Sequence, residues 1–501
     1  MVSLIILASL MPSFILLIGA ILILFMNDRI NRKLLSSFII LLAFIMNTML
    51  LGFYIGYGLI EREFYLNLTS GTFIISEIIL LLGLIVNLFS KEEIVNIVNE
   101  NLFDGIILII LLGMIGTTIS SNLLVIVSWF ILVIVLIGII FYFGDYPKEF
   151  RLLKNYFLGV GISIILLFSA SYLIYLEFGT LILTEIKLLE MSGINNVIIS
   201  LLLLFGIGIP CGLFPFSIYH LKNYYHDSSY TNLFLFSIFS YVNIFVLIRV
   251  LNIFTFNLIF NGLFLMVISG IGLIISLIYV LTELFTSLDG DTFSIKKLFG
   301  FSISADFNMF LLFASFLVFL GPLEMTNSYM NILIFYLLMV ISIKALIFYT
   351  FFPIMRETHD DNLKLLGQFQ EKYKSFGNIL LIAALILSLP LSILSFIAFP
   401  SIFSTEGIIE MSLYSLLSFL IIVLYIIYLS ITLIFISITR VQIYFSDKPR
   451  YIERESVKNI SANHYLPIII IFIIIGLLNI MFLLGNNIFY LIFKSFLIII
   501  D

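Results

Sequence analysis

Two ionisable residues lie deep inside otherwise apolar segments, and they are the first candidates for chemistry in this chain. Asp306 lies seven residues after the start of the segment 299–320, and Lys344 lies eight residues before the C-terminal end of the segment 329–352. At 1.5 Å per helical residue, each lies about 10–12 Å from one end of its helix. A charge at the middle of a membrane helix costs about 2.5–3.5 kcal/mol, so such residues are candidates for function. Asp306 and Lys344 therefore form either a proton or cation relay or a static ion pair.

Other charged residues stand nearer the ends of apolar segments. Glu77 lies early in one such segment, Glu283 ends another, and Arg249 stands late in a third. From there the long Arg249 side chain can reach the membrane surface. These positions predict interfacial or structural roles. The four histidines and the single cysteine form no cluster, so the sequence predicts neither a metal site nor iron–sulfur ligands.

The overall composition explains why these charges are exceptional. Hydrophobic residues make up 62% of the 501 residues and charged residues 11%, whereas soluble domains are about half apolar and a quarter charged. The apolar runs are continuous and match the length of a membrane-spanning helix, whereas barrel strands alternate. With a net charge of −5 and no basic stripe, nothing indicates a nucleic-acid partner. The sequence predicts an all-α polytopic protein embedded in a lipid bilayer.

The loops between the apolar segments predict the topology. The fourteen predicted spans are roughly 4–26, 34–58, 72–90, 104–120, 121–143, 154–177, 196–219, 231–255, 258–284, 299–320, 329–352, 376–399, 411–445 and 466–485. Of the 24 Lys and Arg residues, 19 fall in every second loop, beginning with the loop after the first span. Cytoplasmic loops carry the excess of basic residues. The alternation therefore predicts a multi-pass protein of the cell membrane with both termini outside.

Proline interrupts two of the predicted spans. The seventh contains Pro210 and Pro215, and the twelfth contains Pro390. Proline frees a backbone carbonyl and kinks a helix, and broken helices at corresponding places in two halves mark inverted repeats around an ion path. Spans 4–8 and 9–13 would then be two inverted five-helix repeats, each with a broken helix. The predicted domains are 1–103 with the first three spans, 104–257 with the first repeat, 258–445 with the second repeat, and 446–501 with the last span and tail.

Four segments resemble a known family in their order along the chain. Residues 294–302 (SIKKLFGFS) are similar to its NIKRLLGYSS motif, and residues 344–348 (KALIF) to its KALLF motif. Residues 215–217 (PFS) stand at its PFHLW motif, and 122–129 resemble the start of its fifth helix. The family is that of the antiporter-like membrane subunits of respiratory complex I and the related Mrp-type antiporters. The chain most resembles subunit N of NADH-quinone oxidoreductase.

The resemblance implies a membrane subunit without catalytic residues of its own. It would contribute to, or scaffold, redox-coupled proton translocation beside other membrane subunits of a complex I-like assembly. Quinone and iron–sulfur clusters would be held by those partners, and this chain would hold no cofactor. The alternatives are a subunit of an Mrp-like cation/proton antiporter, a stand-alone secondary transporter, and a structural subunit that has lost pumping.

Most positions that carry protons in the family differ in this chain. Phe130 stands at the glutamate of the fifth helix, Pro210 at the lysine of the seventh, and Ser240 near the lysine of the eighth. The middle of the twelfth span contains neither lysine nor glutamate. The resemblance therefore implies the fold and leaves Asp306 and Lys344 as the candidates for a relay.

Overall fold

The structure is a computed structural model, and it describes about half of the chain. The described residues are 9–26, 29–57, 61–63, 66–68, 70–93, 100–143, 150–188, 194–210, 213, 258–289 and 295–320, with parts of 238–250 and 420–436. The described residues within these last two ranges are helical.

The continuous elements are almost all helices. They are α1 (Met11–Leu24), α2 (Arg29–Tyr57), α3 (Ser70–Glu93), α4 (Glu100–Ile119), α5 (Leu123–Phe143), α6 (Phe150–Phe178), α7 (Leu183–Leu188), α8 (Ile194–Gly208), α9 (Leu258–Asp289) and α10 (Ile295–Leu320). Between α2 and α3 a short antiparallel hairpin pairs β1 (Glu61–Glu63) with β2 (Leu66–Leu68). Apart from this hairpin, the helical prediction is confirmed for the described residues.

Several helices are long and apolar enough to cross a membrane. Among the described residues there are five such stretches: Asn31–Gly52, Asn101–Ile119, Leu123–Ile140, Tyr156–Phe178 and Gly262–Phe285. Each overlaps one of the predicted spans. The protein is therefore a multi-pass membrane protein. The predicted spans 329–352, 376–399 and 466–485 lie outside the described residues, so the count of fourteen and the two repeats stay predictions.

The chain divides into two compact units. The described residues up to 264 belong to the first unit, and residues 265–315 and 420–436 belong to the second. In the first unit α4 is central, since it packs against α1, α3 and α5. Its membrane-spanning stretch is 78% buried, against 28% for α2. A helix that is apolar all round is suited to this enclosed position. The four predicted domains stay a prediction.

Local signals set the ends of several helices. The side-chain oxygen of Asn122 accepts a hydrogen bond from the Leu124 N–H at 2.9 Å, which caps the start of α5. Gly179 follows α6 with a φ of 69° and donates to the Tyr175 carbonyl at 2.8 Å, a common helix termination. The helix α8 ends at Gly208, and Pro210 lies in the turn that follows.

Candidate functional site

Among the acids that the structure describes in the second unit, Asp306 on α10 is the most deeply buried. Its side chain is fully buried, and its Oδ1 accepts a hydrogen bond from the hydroxyl of Tyr428, which is also fully buried. One turn further along the same segment, the Thr432 hydroxyl donates to the Tyr428 carbonyl at 3.0 Å. A buried polar group needs such a partner because it has lost its hydration. Asp306 therefore lies in an enclosed site in which a hydroxyl group contacts its carboxylate.

The predicted partner of Asp306, Lys344, lies outside the described residues, so the Asp306–Lys344 pair stays a prediction. Sequence reasoning missed Tyr428 altogether. It is separated from Asp306 by 122 positions and is one of 25 tyrosines in the chain. The only signal for Tyr428 in the sequence is its position within an apolar span. Many other aromatic residues of the chain share that property.

A second polar group lies on another side of α10. The Ser304 and Ser276 hydroxyls are 2.9 Å apart, which joins α10 to α9. Asn308, one turn after Ser304, donates through Nδ2 to the Ser304 carbonyl at 2.8 Å. Its amide lies against α9 at Gly272, where an added Cβ would stand 2.8 Å from the Asn308 Cγ. Residues 306 and 308 are about 200° apart around a helix, so α10 carries polar side chains toward two different neighbours.

The position of the family's glutamate in the first unit is apolar. Phe130 of α5, at the position of the family's glutamate, contacts Phe239 with ring centroids 5.7 Å apart. Both side chains are 1% exposed. Pro210 is buried in the turn after α8, and Ser240 lies outside the described residues. Where the resemblance would place a carboxylate, the first unit has an aromatic contact.

Arg249 binds the end of a helix. Its Nη1 donates to the Thr118 carbonyl at 2.7 Å, and its Nη2 donates to the Ser120 carbonyl. These carbonyls lie at the C-terminus of α4, where a positive charge is favourable. The residue is 6% exposed, so its side chain is enclosed within the unit. Its role in the structure is to hold the connection between α4 and α5.

The two glutamates singled out from the sequence differ in their surroundings. Glu77 is half-buried on α3, with both carboxyl oxygens shielded from solvent and the Thr48 and Asn47 side chains beside it. Glu283 is half-buried on α9. The helix α9 continues to Asp289, while its membrane-capable stretch ends at Phe285, so Glu283 lies near the end of that stretch.

Two basic residues that the topology prediction counted in the loop after the first span belong to a buried ion cluster. Arg32 and Lys33 stand in the first turns of α2, and their side chains are only 2% and 5% exposed. The Arg32 Nε lies 2.8 Å from Asp104 Oδ2, and the Lys33 Nζ binds Asp104 Oδ1. Lys33 also lies 5.9 Å from the Phe103 ring centroid, within reach of a cation–π interaction. The only signal in the sequence was an acid at the start of the apolar segment 104–120, on the same predicted side as the basic loop.

The described residues contain no group of three or more histidine, cysteine, aspartate or glutamate side chains that could hold a metal ion.

These features define a multi-pass helical membrane protein with ionisable groups buried within its spans. Residues 120–427 match the family described as NADH:quinone oxidoreductase/Mrp antiporter, TM. The match covers more than half of the chain, and the chain belongs to this family. The resemblance found in the sequence motifs is therefore confirmed. No curated protein matches the sequence.

Two solved structures share the fold over almost the whole chain. One is a chain of the membrane-bound sulfane sulfur reductase, an archaeal respiratory membrane complex, with a TM-score of 0.72 and 14% identity. The match covers 100% of this chain and 97% of that one. The other is a chain of respiratory complex I from Thermus thermophilus, with a TM-score of 0.68 and 14% identity, covering 94% of this chain and 96% of that one. At this identity the likeness shows the fold.

Proposed function

We propose that this chain is an antiporter-like, N-type membrane subunit of a complex I-like respiratory oxidoreductase, in which it contributes to proton translocation. The observation that carries the proposal is the fully buried Asp306, contacted by the Tyr428 hydroxyl inside the second unit. Family membership and the nearly complete coverage of two respiratory membrane subunits support the assembly. Redox chemistry, with quinone and iron–sulfur clusters, then belongs to partner subunits.

The proposed role of Asp306 is to hold and release one proton. A nearby positive charge favours the ionised form of a carboxyl group. A charged Lys344 at the same depth would therefore expel the proton from Asp306, and a neutral Lys344 would allow Asp306 to take up the next one. The enclosure of Asp306 keeps bulk water from bypassing this exchange.

A structural subunit that has lost pumping is the second candidate, and the Phe130–Phe239 contact favours it. Phe130 stands where the family has a glutamate, and Pro210 stands where it has a lysine, so the first unit lacks both of these ionisable groups. In the proposed function the first unit is therefore a scaffold, and proton movement is confined to the second. An Mrp-like antiporter subunit or a stand-alone transporter would differ in its partners rather than in these residues.

Copurification and ion flux test the proposal together. The tagged chain is purified from native membranes in mild detergent, and its partners are identified. Quinone-reductase or hydrogenase-like subunits are expected, whereas a monodisperse chain that transports ions without partners would contradict the assignment. In the reconstituted assembly, Asp306→Asn should abolish coupled proton uptake, measured per assembled complex. Normal uptake by this variant would show that Asp306 carries no protons.

Lys344 must be tested together with Asp306, because substituting Lys344 by itself would leave the Asp306 carboxylate buried without its predicted cation. Removing one member of a buried ion pair costs about 3–5 kcal/mol, so Lys344→Met is expected to weaken assembly as well as flux. The double variant with Asp306→Asn removes both charges and should restore assembly. Restored assembly with lost uptake supports a relay, whereas restored assembly with normal uptake shows a structural pair.

The proposed topology places both termini outside. In a Cys211→Ser background, single cysteines at 360–372 and 448–458 should be labelled from the inner side. Single cysteines at 61–63 and 185–190 should be labelled from the outer side. Labelling of position 450 from outside would overturn the count of fourteen spans.

A further inference from the structure

We infer that two tyrosines of the segment 420–436, Tyr428 and Tyr425, extend the proton path from Asp306 toward the C-terminal end of α10. We call them the tyrosine pair. The inference rests on the proposed function, because it gives Asp306 a proton to pass on. It assigns a role to two residues that neither the sequence motifs nor the family resemblance singled out.

The direction of the path follows from two contacts between the same helices. Tyr428 contacts Asp306, whereas Tyr425 contacts Phe313 with ring centroids 5.7 Å apart. Phe313 lies seven residues after Asp306, while Tyr425 lies three residues before Tyr428. The segment therefore runs antiparallel to α10, and Tyr425 is further along α10 than Tyr428. In the proposed topology this direction leads from Asp306 toward the outer side.

The hydroxyl of Tyr425 places a second polar group in this site, further toward the C-terminal end of α10 than Asp306. Tyr425 is 2% exposed, and its hydroxyl is enclosed without a hydrogen-bond partner among the described residues. An enclosed hydroxyl without a partner destabilises a fold, and a phenylalanine would give the same ring contacts. Packing alone therefore does not account for a tyrosine at this position. A buried water molecule is the usual partner of such a group.

The rings of the tyrosine pair are neighbours. Their centroids lie 6.4 Å apart and their planes are 26° apart. A water that makes two O–H···O hydrogen bonds of about 2.8 Å joins oxygens about 4.5 Å apart, and the proposal places one such water between the two hydroxyls. Asp306, Tyr428, one water and Tyr425 would then form a continuous series of hydrogen-bonding groups.

The transfer step conserves charge at each tyrosine. When Asp306 is protonated, its O–H bond breaks as a new O–H bond forms at the Tyr428 oxygen. In the same step Tyr428 releases its own hydroxyl proton to the bridging water, and the water passes one of its protons to the Tyr425 oxygen. Tyr425 in turn releases its own hydroxyl proton to a further water on its outer side, so that it also ends as a neutral phenol. Tyr428 ends as a neutral phenol, Asp306 ends as a carboxylate, and one proton has moved. The contact between the Tyr428 hydroxyl and Asp306 Oδ1 is the hydrogen bond along which this proton would pass.

Phenylalanine substitutions in the intact reconstituted complex test the tyrosine pair. Tyr428→Phe should lower proton uptake per turnover by about a hundredfold, the lower part of the range for a positioned proton-transfer group. It should also shift the infrared C=O stretch of protonated Asp306, a band identified by its loss in Asp306→Asn. The matched control is Tyr156→Phe, which removes another buried tyrosine hydroxyl, one that donates to the Ile134 carbonyl at 2.8 Å. This control should change neither proton uptake nor the band.

Tyr425→Phe separates a relay from a structural role even if Tyr428→Phe fails to assemble. Because the Tyr425 hydroxyl has no described hydrogen bond to lose, a structural role predicts unchanged or higher stability and unchanged proton uptake. The relay predicts the same stability with uptake lowered several-fold. Normal uptake in Tyr425→Phe and in an assembled Tyr428→Phe, beside lost uptake in Asp306→Asn, would overturn the inference and leave the proposed function intact. Normal uptake in Asp306→Asn would overturn both.

Discussion

Asp104 in the first unit and Asp306 in the second are both fully buried, but they have different neighbours. The Asp104 carboxylate is bound by Arg32 and Lys33, whereas the carboxylate of Asp306 accepts a hydrogen bond from the Tyr428 hydroxyl. Two cations give a carboxylate strong, charge-assisted hydrogen bonds that fix its position. A hydroxyl can donate to a carboxylate and accept from a carboxylic acid. Asp104 is therefore suited to joining α2 to α4, and Asp306 is suited to exchanging a proton.

The same contrast extends to the neighbouring spans. In the first unit the position of the family's glutamate is filled by the Phe130–Phe239 contact, and Arg249 binds backbone carbonyls. In the second unit α10 carries Asp306 on one side and the Ser304–Asn308 group on another. The polar side chains named here in the first unit thus hold its helices together. In the proposed function, those around Asp306 serve transport.

The largest effect is expected from Asp104→Asn, which leaves Arg32 and Lys33 buried without their carboxylate. Removing one partner of a buried ion pair costs about 3–5 kcal/mol. We expect little assembled complex and a larger fall in its thermal stability in detergent than for Asp306→Asn, because Asp306→Asn leaves one predicted cation, Lys344, without its carboxylate rather than two. The control Asp104→Asn with Lys33→Met restores the net charge of the cluster and should recover part of the stability. Equal stability of Asp104→Asn and Asp306→Asn would remove the distinction between the two aspartates.

Phe130→Glu tests whether the first unit can still accept the family's carboxylate. A charged residue at the centre of a membrane helix costs about 2.5–3.5 kcal/mol, and the aromatic surroundings offer no described partner. The variant should lower the unfolding temperature of the complex without adding proton uptake. The control Phe130→Leu loses only an aromatic contact worth about 0.5–1.5 kcal/mol. A stable Phe130→Glu complex with increased uptake would show that the first unit retains a path.

Two glycines of α9 give a matched pair for the packing beside α10. In Gly272→Ala the new Cβ would overlap the Asn308 amide, whereas nothing lies within 4 Å of the Cβ in Gly270→Ala. Overpacking costs about 1–3 kcal/mol, and alanine is otherwise the better helix former by about 1 kcal/mol. Thermal unfolding should therefore place Gly272→Ala below the parent and Gly270→Ala at or above it. Adding Asn308→Ala to Gly272→Ala should restore stability, and no restoration would mean that the cost arises elsewhere.

The smallest effect is expected from Tyr156→Phe, since the hydroxyl of this tyrosine binds a backbone carbonyl in the first unit. A neutral hydrogen bond contributes a net of about 0.5–1.5 kcal/mol, so a small fall in the unfolding temperature should be measurable. Proton uptake per turnover should stay at the parental value. A fall in uptake as large as that of Tyr428→Phe would show that buried tyrosine hydroxyls in both units act alike.

Much of the fold followed from composition and periodic apolar runs. The predicted spans at 104–120 and 121–143 correspond closely to α4 and α5, and the membrane location follows from 62% hydrophobic residues. The motifs predicted the family, and the apolar run around Asp306 predicted its burial. These properties are local, because a stretch of about twenty apolar residues must satisfy its own backbone in lipid as a helix.

The neighbours of the buried charges were decided only by the tertiary structure. Arg32 and Lys33 are separated from Asp104 by more than seventy residues, and Asp306 from Tyr428 by 122. Each contact depends on how two helices are rotated about their axes. In a soluble protein the apolar face of a helix reveals that rotation, but in a membrane the lipid-facing and protein-facing sides are both apolar. The sequence of such helices therefore determines that they span the membrane, and packing between them determines which charges meet.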